Sequence, residues 1–474
     1  MKKRILMFVA LILCLACLFA FTACEPPVSE KQTDTETESE SETEGESKTD
    51  SESESESETE TESESKKETE TETESETETE TETETETETE TETETQTESQ
   101  TESESATESE TESKGPVAGV TQTTEVLATK KYDLSEKPEL FRFIGRTKQT
   151  KNGTICDHSA SGIEFQGFLT GEVNLTVESQ NQETYYTVYV DGVRVAERFR
   201  AKAWEETTLK LATFEGKYFH KIKILKQTEI GWSTSTFIEL DVTGYLTDAP
   251  EVRPYYFEFY GDSLTSAFGN IGTPYANSPH DVPLYQDATQ SYGFLMSEFA
   301  DADCSILAMS GVGLSVGYYD NPFLDYFSRY SHKRGDEAFD FEGARVPDIA
   351  FIHLGANDES VGDDPNNVRG YGESTGTFKT NFKNKAKELI NYIRSGYKTD
   401  VPIVWAYDPW EGVPNYVQEV IDELGGEEAG LYIIALEWHG ISGYTGAGTH
   451  PSVAAHEAHS YELLELIVEK RVLD

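Results

Sequence analysis

Between residues 120 and 250 apolar and polar positions alternate with a period of two, in short stretches. They run over 141–144, 162–169, 172–177, 185–190, 208–212, 219–225 and 237–242. Successive side chains of a strand point to opposite faces, so this alternation predicts half-buried strands. Asp191-Gly192, directly after a tyrosine-rich stretch, is a hairpin signal. About eight short strands with no helical period predict a β-sandwich or jelly roll. Past residue 255 the pattern changes. Apolar runs at 255–260, 304–309, 348–354, 402–407 and 431–437 alternate with helix-spaced segments. The latter cover 291–300, then Phe378, Phe382, Ala386, Leu389, Ile390 and Ile393, then Tyr416, Val417, Val420, Ile421 and Leu424. A last helix is predicted over 453–470. Strand and helix in alternation predict a three-layer α/β domain on a five-stranded parallel sheet.

The rest of the chain does not pattern for folding. Of the formal charge of −52 on 474 residues, −31 lies in residues 29–114, which hold 36 acidic and 5 basic residues among alternating Ser, Thr and Glu. Such a segment has no apolar surface to offset chain entropy, and reads as a disordered tether. Ahead of it, Lys2, Lys3 and Arg4 precede the apolar run 5–21, with small residues before Cys24. This is an export signal. The reading is therefore a signal peptide over 1–24, a tether over 25–119, a jelly roll over 120–250 and the α/β domain over 251–474. The remaining acidic balance argues against nucleic acid as a partner. Only Cys156 and Cys304 stay after removal of the signal, so no disulfide framework is expected.

In an open parallel sheet the ligand cleft lies beyond the carboxyl ends of the strands. Ser263 follows the first strand, Ser310-Gly311-Val312-Gly313 the second, and Gly355-Ala356-Asn357-Asp358 the third; Gly448-Thr449-His450-Pro451 leads into the last helix. A hydroxyl nucleophile needs a base for its proton, and an imidazole near neutral pH serves. It also needs donors facing the oxyanion that develops on the attacked carbonyl. The N–H groups of Ser263 and Gly311 and the amide of Asn357 would supply three. His456 and His459 lie near His450, but His-Glu-Ala-His lacks the i, i+4 pair of a metalloprotease helix. No metal or other cofactor is expected.

This ordered set resembles the SGNH (GDSL) hydrolases, with Ser263, Gly311, Asn357 and His450 at the four named positions. The segments 143–146, 189–192, 261–270, 310–313, 353–358 and 450–456, behind a β domain, are more closely similar to carbohydrate esterase family 2. That resemblance covers about residues 120–470. It implies a jelly roll followed by an SGNH-type domain, and removal of acetyl groups from plant polysaccharides such as xylan or glucomannan, often at the sugar 6-hydroxyl. It also implies a two-step mechanism with Ser263 as nucleophile and His450 as base. The end of the signal, Phe-Thr-Ala-Cys, resembles a bacterial lipobox, which would acylate Cys24 and tether an extracellular protein to the cell surface; the alternative is free secretion.

One departure stands out. Many SGNH enzymes carry an aspartate two or three residues before the histidine, where this chain has Gly448 and Ala447. Some members of carbohydrate esterase family 2 are similar in this, using a Ser–His pair with a main-chain carbonyl holding the ring; the resemblance implies such an oxygen near 447–449 here, with Asp408 in reserve. Trp410 is a candidate wall of the sugar site. Two rival functions remain at this stage: a surface carbohydrate-binding protein with little catalysis, and an esterase of other acyl groups.

Overall fold

The computed structural model describes residues 128–274, 282–362, 375–408, 413–436 and 445–473. The expected signal, tether and Cys24, and Trp410, lie outside the described residues.

The first part of the described chain is antiparallel. Its strands are β1 (Thr129–Asp133), β2 (Arg142–Ile144), β3 (Lys148–Thr150), β4 (Gly153–Ile155), β5 (Gly162–Gln180), β6 (Thr184–Val190), β7 (Val193–Arg194), β8 (Phe199–Ala201), β9 (Glu205–Lys226) and β10 (Thr234–Leu246). The order β3-β4-β10-β5-β9-β6-β7 runs through one continuous set of pairings, with β1, β2 and β8 joined at its sides. Two pairs of stretches that alternate separately in sequence are continuous here: 162–169 with 172–177 in β5, and 208–212 with 219–225 in β9. Register shifts explain why: β5 slips against β10 between Thr170 and Val173, and β9 slips against β5 at 210–212 and 214–218. An extra residue breaks the period-two pattern and bends the strand without ending it. Phe165, Leu175, Val177, Tyr186, Ile222, Ile224 and Phe237 fill the interior.

The second part is a five-stranded parallel sheet: β11 (Tyr255–Gly261), β12 (Ala302–Ala308), β13 (Ile349–His353), β14 (Ile403–Tyr407) and β15 (Leu431–Ala435), in the order β12-β11-β13-β14-β15. Both faces are covered. Helices α6 (Thr375–Tyr397) and α7 (Pro414–Glu423) pack Phe382, Leu389, Val417 and Val420 against Ile352 and Trp405. On the opposite face α3 (Tyr292–Phe299) and α8 (Val453–Glu469) pack Phe294, Met296, Leu463 and Ile467 against Phe257, Phe259 and Phe351. Shorter helices are α1 (Ser263–Ser266), α2 (Val282–Tyr285), α4 (Phe323–Phe327) and α5 (Ala356–Gly362).

The two sheets share a core. Ile230, just past β9, is buried with the α6 cluster, and Ile144, Ala160 and Leu225 are buried with the α3 cluster. Ion pairs cross the same junction. Arg142 bonds both Glu164 and Asp303, and Arg334 donates to Asp157 at 2.8 Å.

Candidate active site

The strand order decides where the site lies. β11 lies second from one edge, with β12 on one side and β13 on the other, so the chain reverses its winding between β11 and β13. That reversal opens a crevice at the carboxyl ends of these strands. Register brings the three ends level, since Gly261 pairs with both Ala308 and His353. The residues that follow each strand therefore emerge side by side.

After β11 the chain turns at once into α1. Asp262 caps that helix, its Oδ1 accepting the Leu264 N–H at 3.0 Å, as a side-chain carboxylate does at a helix start. Ser263 is the first helical residue and is 9% exposed. Asp262 has a second role. Its Oδ2 accepts from Asn357 Nδ2 at 2.9 Å, and the same nitrogen donates to Val312 O at 3.0 Å. Both neighbours are acceptors only, which fixes the amide with nitrogen toward them. The residue before Ser263, the loop after β12 and the start of α5 are thus joined directly. Both amide protons of Asn357 are engaged, so donation to an oxyanion requires one of these bonds to be shared or released.

Gly311 has φ +78°, while a Cβ there would meet only ordinary contacts with Tyr318 and Tyr319. The glycine answers the left-handed backbone rather than a lack of room. On one side of it the loop is held by Asp358, whose carboxylate accepts from the N–H groups of Leu314, Ser315 and Val316 and from Ser315 Oγ, at 2.6–3.0 Å. Full burial nevertheless pushes this carboxyl up to about 6.

The His450 segment is sewn to the turn after Ser263. Ala447 N donates to Gly269 O at 2.8 Å, Val453 N to Asn270 O at 3.1 Å, and Phe268 N to Ser263 O at 3.0 Å. Phe268 sets its ring 4.5 Å from the His450 imidazole. His450 Nδ1 lies 2.9 Å from Gly448 O. A carbonyl only accepts, so Nδ1 carries the proton and Nε2 is left with the lone pair that a base needs. This is the main-chain oxygen expected near 447–449. Asp408 is placed elsewhere: fully buried, its Oδ2 is 3.7 Å from His353 Nε2. His456 and His459 are buried as well, stacked on Tyr292 with centroids 6.1 and 4.5 Å away.

Gly448 makes the carbonyl geometry possible. Its φ is +61°, and Thr449 follows at +65°. Left-handed backbone at two successive residues folds the carbonyl back toward its own loop, and an L side chain at the first would be strained by roughly 1–2 kcal/mol. Gly448→Ala is accordingly expected to lower stability by about 1 kcal/mol and to reduce kcat by disturbing the ring, measured by thermal unfolding alongside ester turnover.

Burial of His450 disfavours its charged form and lowers its pKa from the ordinary 6.5, against a smaller upward pull from the Gly448 hydrogen bond. A base at Nε2 would be lost when that atom takes up a proton. The acid limb of kcat/KM should therefore have its midpoint below pH 6.5, with activity level above it. Asp358 titrates in the same range, so the limb belonging to His450 is the one that persists in Asp358→Asn. A midpoint at or above 6.5 would contradict burial as the dominant influence.

Several neighbours carry no sequence signal of a role: Asp262, which reads only as a turn residue in Gly-Asp-Ser; Glu229 and Trp232, which come from the loop after β9; and Tyr318 and Tyr319, exposed beside Gly311. Trp232 stands 6.5 Å from Phe268, extending the aromatic wall that begins at His450.

Known proteins resemble this chain in domain, sequence and fold. Residues 143–250 match the family model of the carbohydrate esterase 2 N-terminal domain. The cellulase/esterase CelE of Acetivibrio thermocellus is 28% identical over 329 residues, 67% of this chain. The chain spans 38% of the length of that curated relative. A family two carbohydrate esterase from Clostridium thermocellum, solved in complex with cellohexaose, is 27% identical and superposes with a TM-score of 0.61 over 70% of this chain and 100% of that one. An acetyl xylan esterase from the rumen bacterium Butyrivibrio proteoclasticus shares the fold, with a TM-score of 0.64, 17% identity, and 73% and 100% of the two chains covered. In domain, sequence and fold, this chain is a homologue of the family two carbohydrate esterases.

Proposed function

We propose that this protein is a carbohydrate O-acetyl esterase acting on acetylated plant polysaccharide through a Ser263–His450 acyl-enzyme mechanism. The observation that carries the reading is the His450 ring, held by Gly448 O with its basic nitrogen unprotonated, in a loop bonded to the turn after Ser263. Ser263 Oγ attacks the acetyl carbonyl while His450 Nε2 takes its proton. His450 then returns the proton to the departing sugar oxygen, and finally activates the water that releases acetate. The N–H groups of Ser263 and Gly311 face the developing oxyanion, and Asn357 joins them by yielding its bond to Val312 O. The expected tests are acetate release from acetylated xylan, acetylated glucomannan and a short acetyl ester. Release from the short ester alone would end the polysaccharide proposal.

The complex of the Clostridium thermocellum relative with cellohexaose favours a second capacity, the binding of unacetylated β-glucan in the same cleft. Tyr318 and Tyr319, exposed beside Gly311, offer ring faces to a sugar. Trp410 is proposed for the same wall. We further infer that residues 1–24 direct export, that Cys24 is lipidated, and that residues 25–119 hold residues 120–474 away from the cell surface. Among the described residues no helix is long and apolar enough to cross a membrane.

A further inference from the structure

Glu229 is a carboxylate with no access to solvent, contributed by the antiparallel part of the chain to the heart of the parallel part. It comes directly after β9, in a run of buried polar residues, Lys226, Gln227, Thr228 and Glu229. Lys226 shapes that run. Its Nζ donates to the carbonyls of Asp157, Thr228 and Glu229 at 2.7–3.2 Å, closing the turn that aims the glutamate. The Glu229 side chain then collects donors from α1 and from the loop after β12, both parts of the candidate active site. Oε2 accepts from Ser266 Oγ at 2.5 Å and from Ser310 Oγ at 2.7 Å. The Ser310 N–H reaches both carboxylate oxygens at 3.1 Å, and Gln286 Nε2 reaches Oε2 at 3.3 Å.

Burying a charge this completely costs several kcal/mol unless its lone pairs are satisfied. A core position could be filled more cheaply by an apolar residue. What the carboxylate supplies is a fixed direction for the residue before Gly311. Ser310 is held through both its N–H and its hydroxyl, while the Gly311 carbonyl is held from the other side by Tyr318 N at 2.8 Å. A glycine between two such clamps has little freedom to rotate its N–H. Ser266, three residues after the nucleophile, is tied to the same carboxylate, and its Oγ lies 3.4 Å from Ser310 Oγ.

We propose that Glu229 is a positioning residue for the oxyanion hole: it locks the Ser310–Gly311 segment to α1, so that the Gly311 N–H and the nucleophile keep one relative placement. This rests on the esterase reading above and adds to it a requirement that the antiparallel part be present for catalysis. A purely structural role, a cross-tie between the two parts, would lower stability and leave turnover per folded molecule alone.

The test is Glu229→Gln in the otherwise unaltered protein, with its fold checked by circular dichroism, assayed on 4-nitrophenyl acetate. Loss of a single oxyanion donor costs about 100- to 1000-fold in kcat, so a loosened donor should cost roughly 10- to 100-fold with KM changed less than about twofold. The rate of Ser263 modification by an organophosphonate, which also places an oxygen in the hole, should fall in parallel. An active wild type beside an equally active, folded Glu229→Gln overturns the inference alone. A wild type that releases no acetate overturns the esterase reading and the inference together. If Glu229→Gln does not fold, Ser310→Ala decides: it removes one bond of the clamp and keeps the N–H, and an unchanged kcat there overturns the proposal.

Discussion

Replacing Ser263 by alanine is expected to reduce acetate release from acetylated xylan and from 4-nitrophenyl acetate by at least about 10,000-fold, since the acyl-enzyme can no longer form. The residual rate would be that of the oxyanion donors and of binding alone. Ser263 is nearly buried at the first position of α1, and its hydroxyl does not figure among the bonds that hold that helix, which rest on Asp262 and on the Ser263 carbonyl. Thermal stability should therefore stay close to that of wild type, because alanine leaves those bonds in place. Affinity for polysaccharide should survive. Equal acetate release by the variant and the wild type would refute the nucleophile. A wild type that binds polysaccharide yet releases no acetate would favour the carbohydrate-binding reading.

The parallel part of the chain is legible in sequence because its signals agree at several levels. Each buried strand is a near-continuous apolar run, each helix keeps its spacing, and a small-residue turn with a polar group follows each of the first three strands. The sheet order cannot be read that way, yet it is what makes those turns neighbours: only because β11 lies between β12 and β13 do Gly261, Ala308 and His353 end level. The antiparallel part is legible in class but not in length, since the bulges in β5 interrupt an alternation that the hydrogen bonding carries through. Glu229 was beyond reach for another reason. Four consecutive polar residues after a strand look like solvated loop, and their burial depends on the second sheet covering them. Asp262 was visible as a residue and hidden as a partner, because its bond to Asn357 spans 95 positions of chain.

His450→Ala should reduce kcat by about a million-fold, as loss of the base does where serine and histidine act as a unit. The informative contrast is Asp408→Asn. Where an aspartate sets the tautomer of a catalytic histidine, its conversion to asparagine costs about 10,000-fold in kcat, because the ring then offers a proton where it should offer a lone pair. Here that work falls to Gly448 O, an uncharged acceptor belonging to the same loop, and Asp408 sits against His353. A backbone carbonyl cannot be titrated or removed by substitution at 408. Asp408→Asn should therefore keep kcat within about threefold of wild type, while losing stability of roughly 1–3 kcal/mol from disturbance of a buried polar contact. A collapse of kcat by about 10,000-fold in folded Asp408→Asn would mean that the ring is oriented by the carboxylate during turnover, and that the Gly448 bond is replaced when substrate binds. The carbonyl has one advantage as an orienting group that argues for the first outcome. It adds no negative charge to compete with the developing oxyanion and, by burying the ring beside a neutral dipole, lets desolvation keep the imidazole unprotonated below its ordinary pKa.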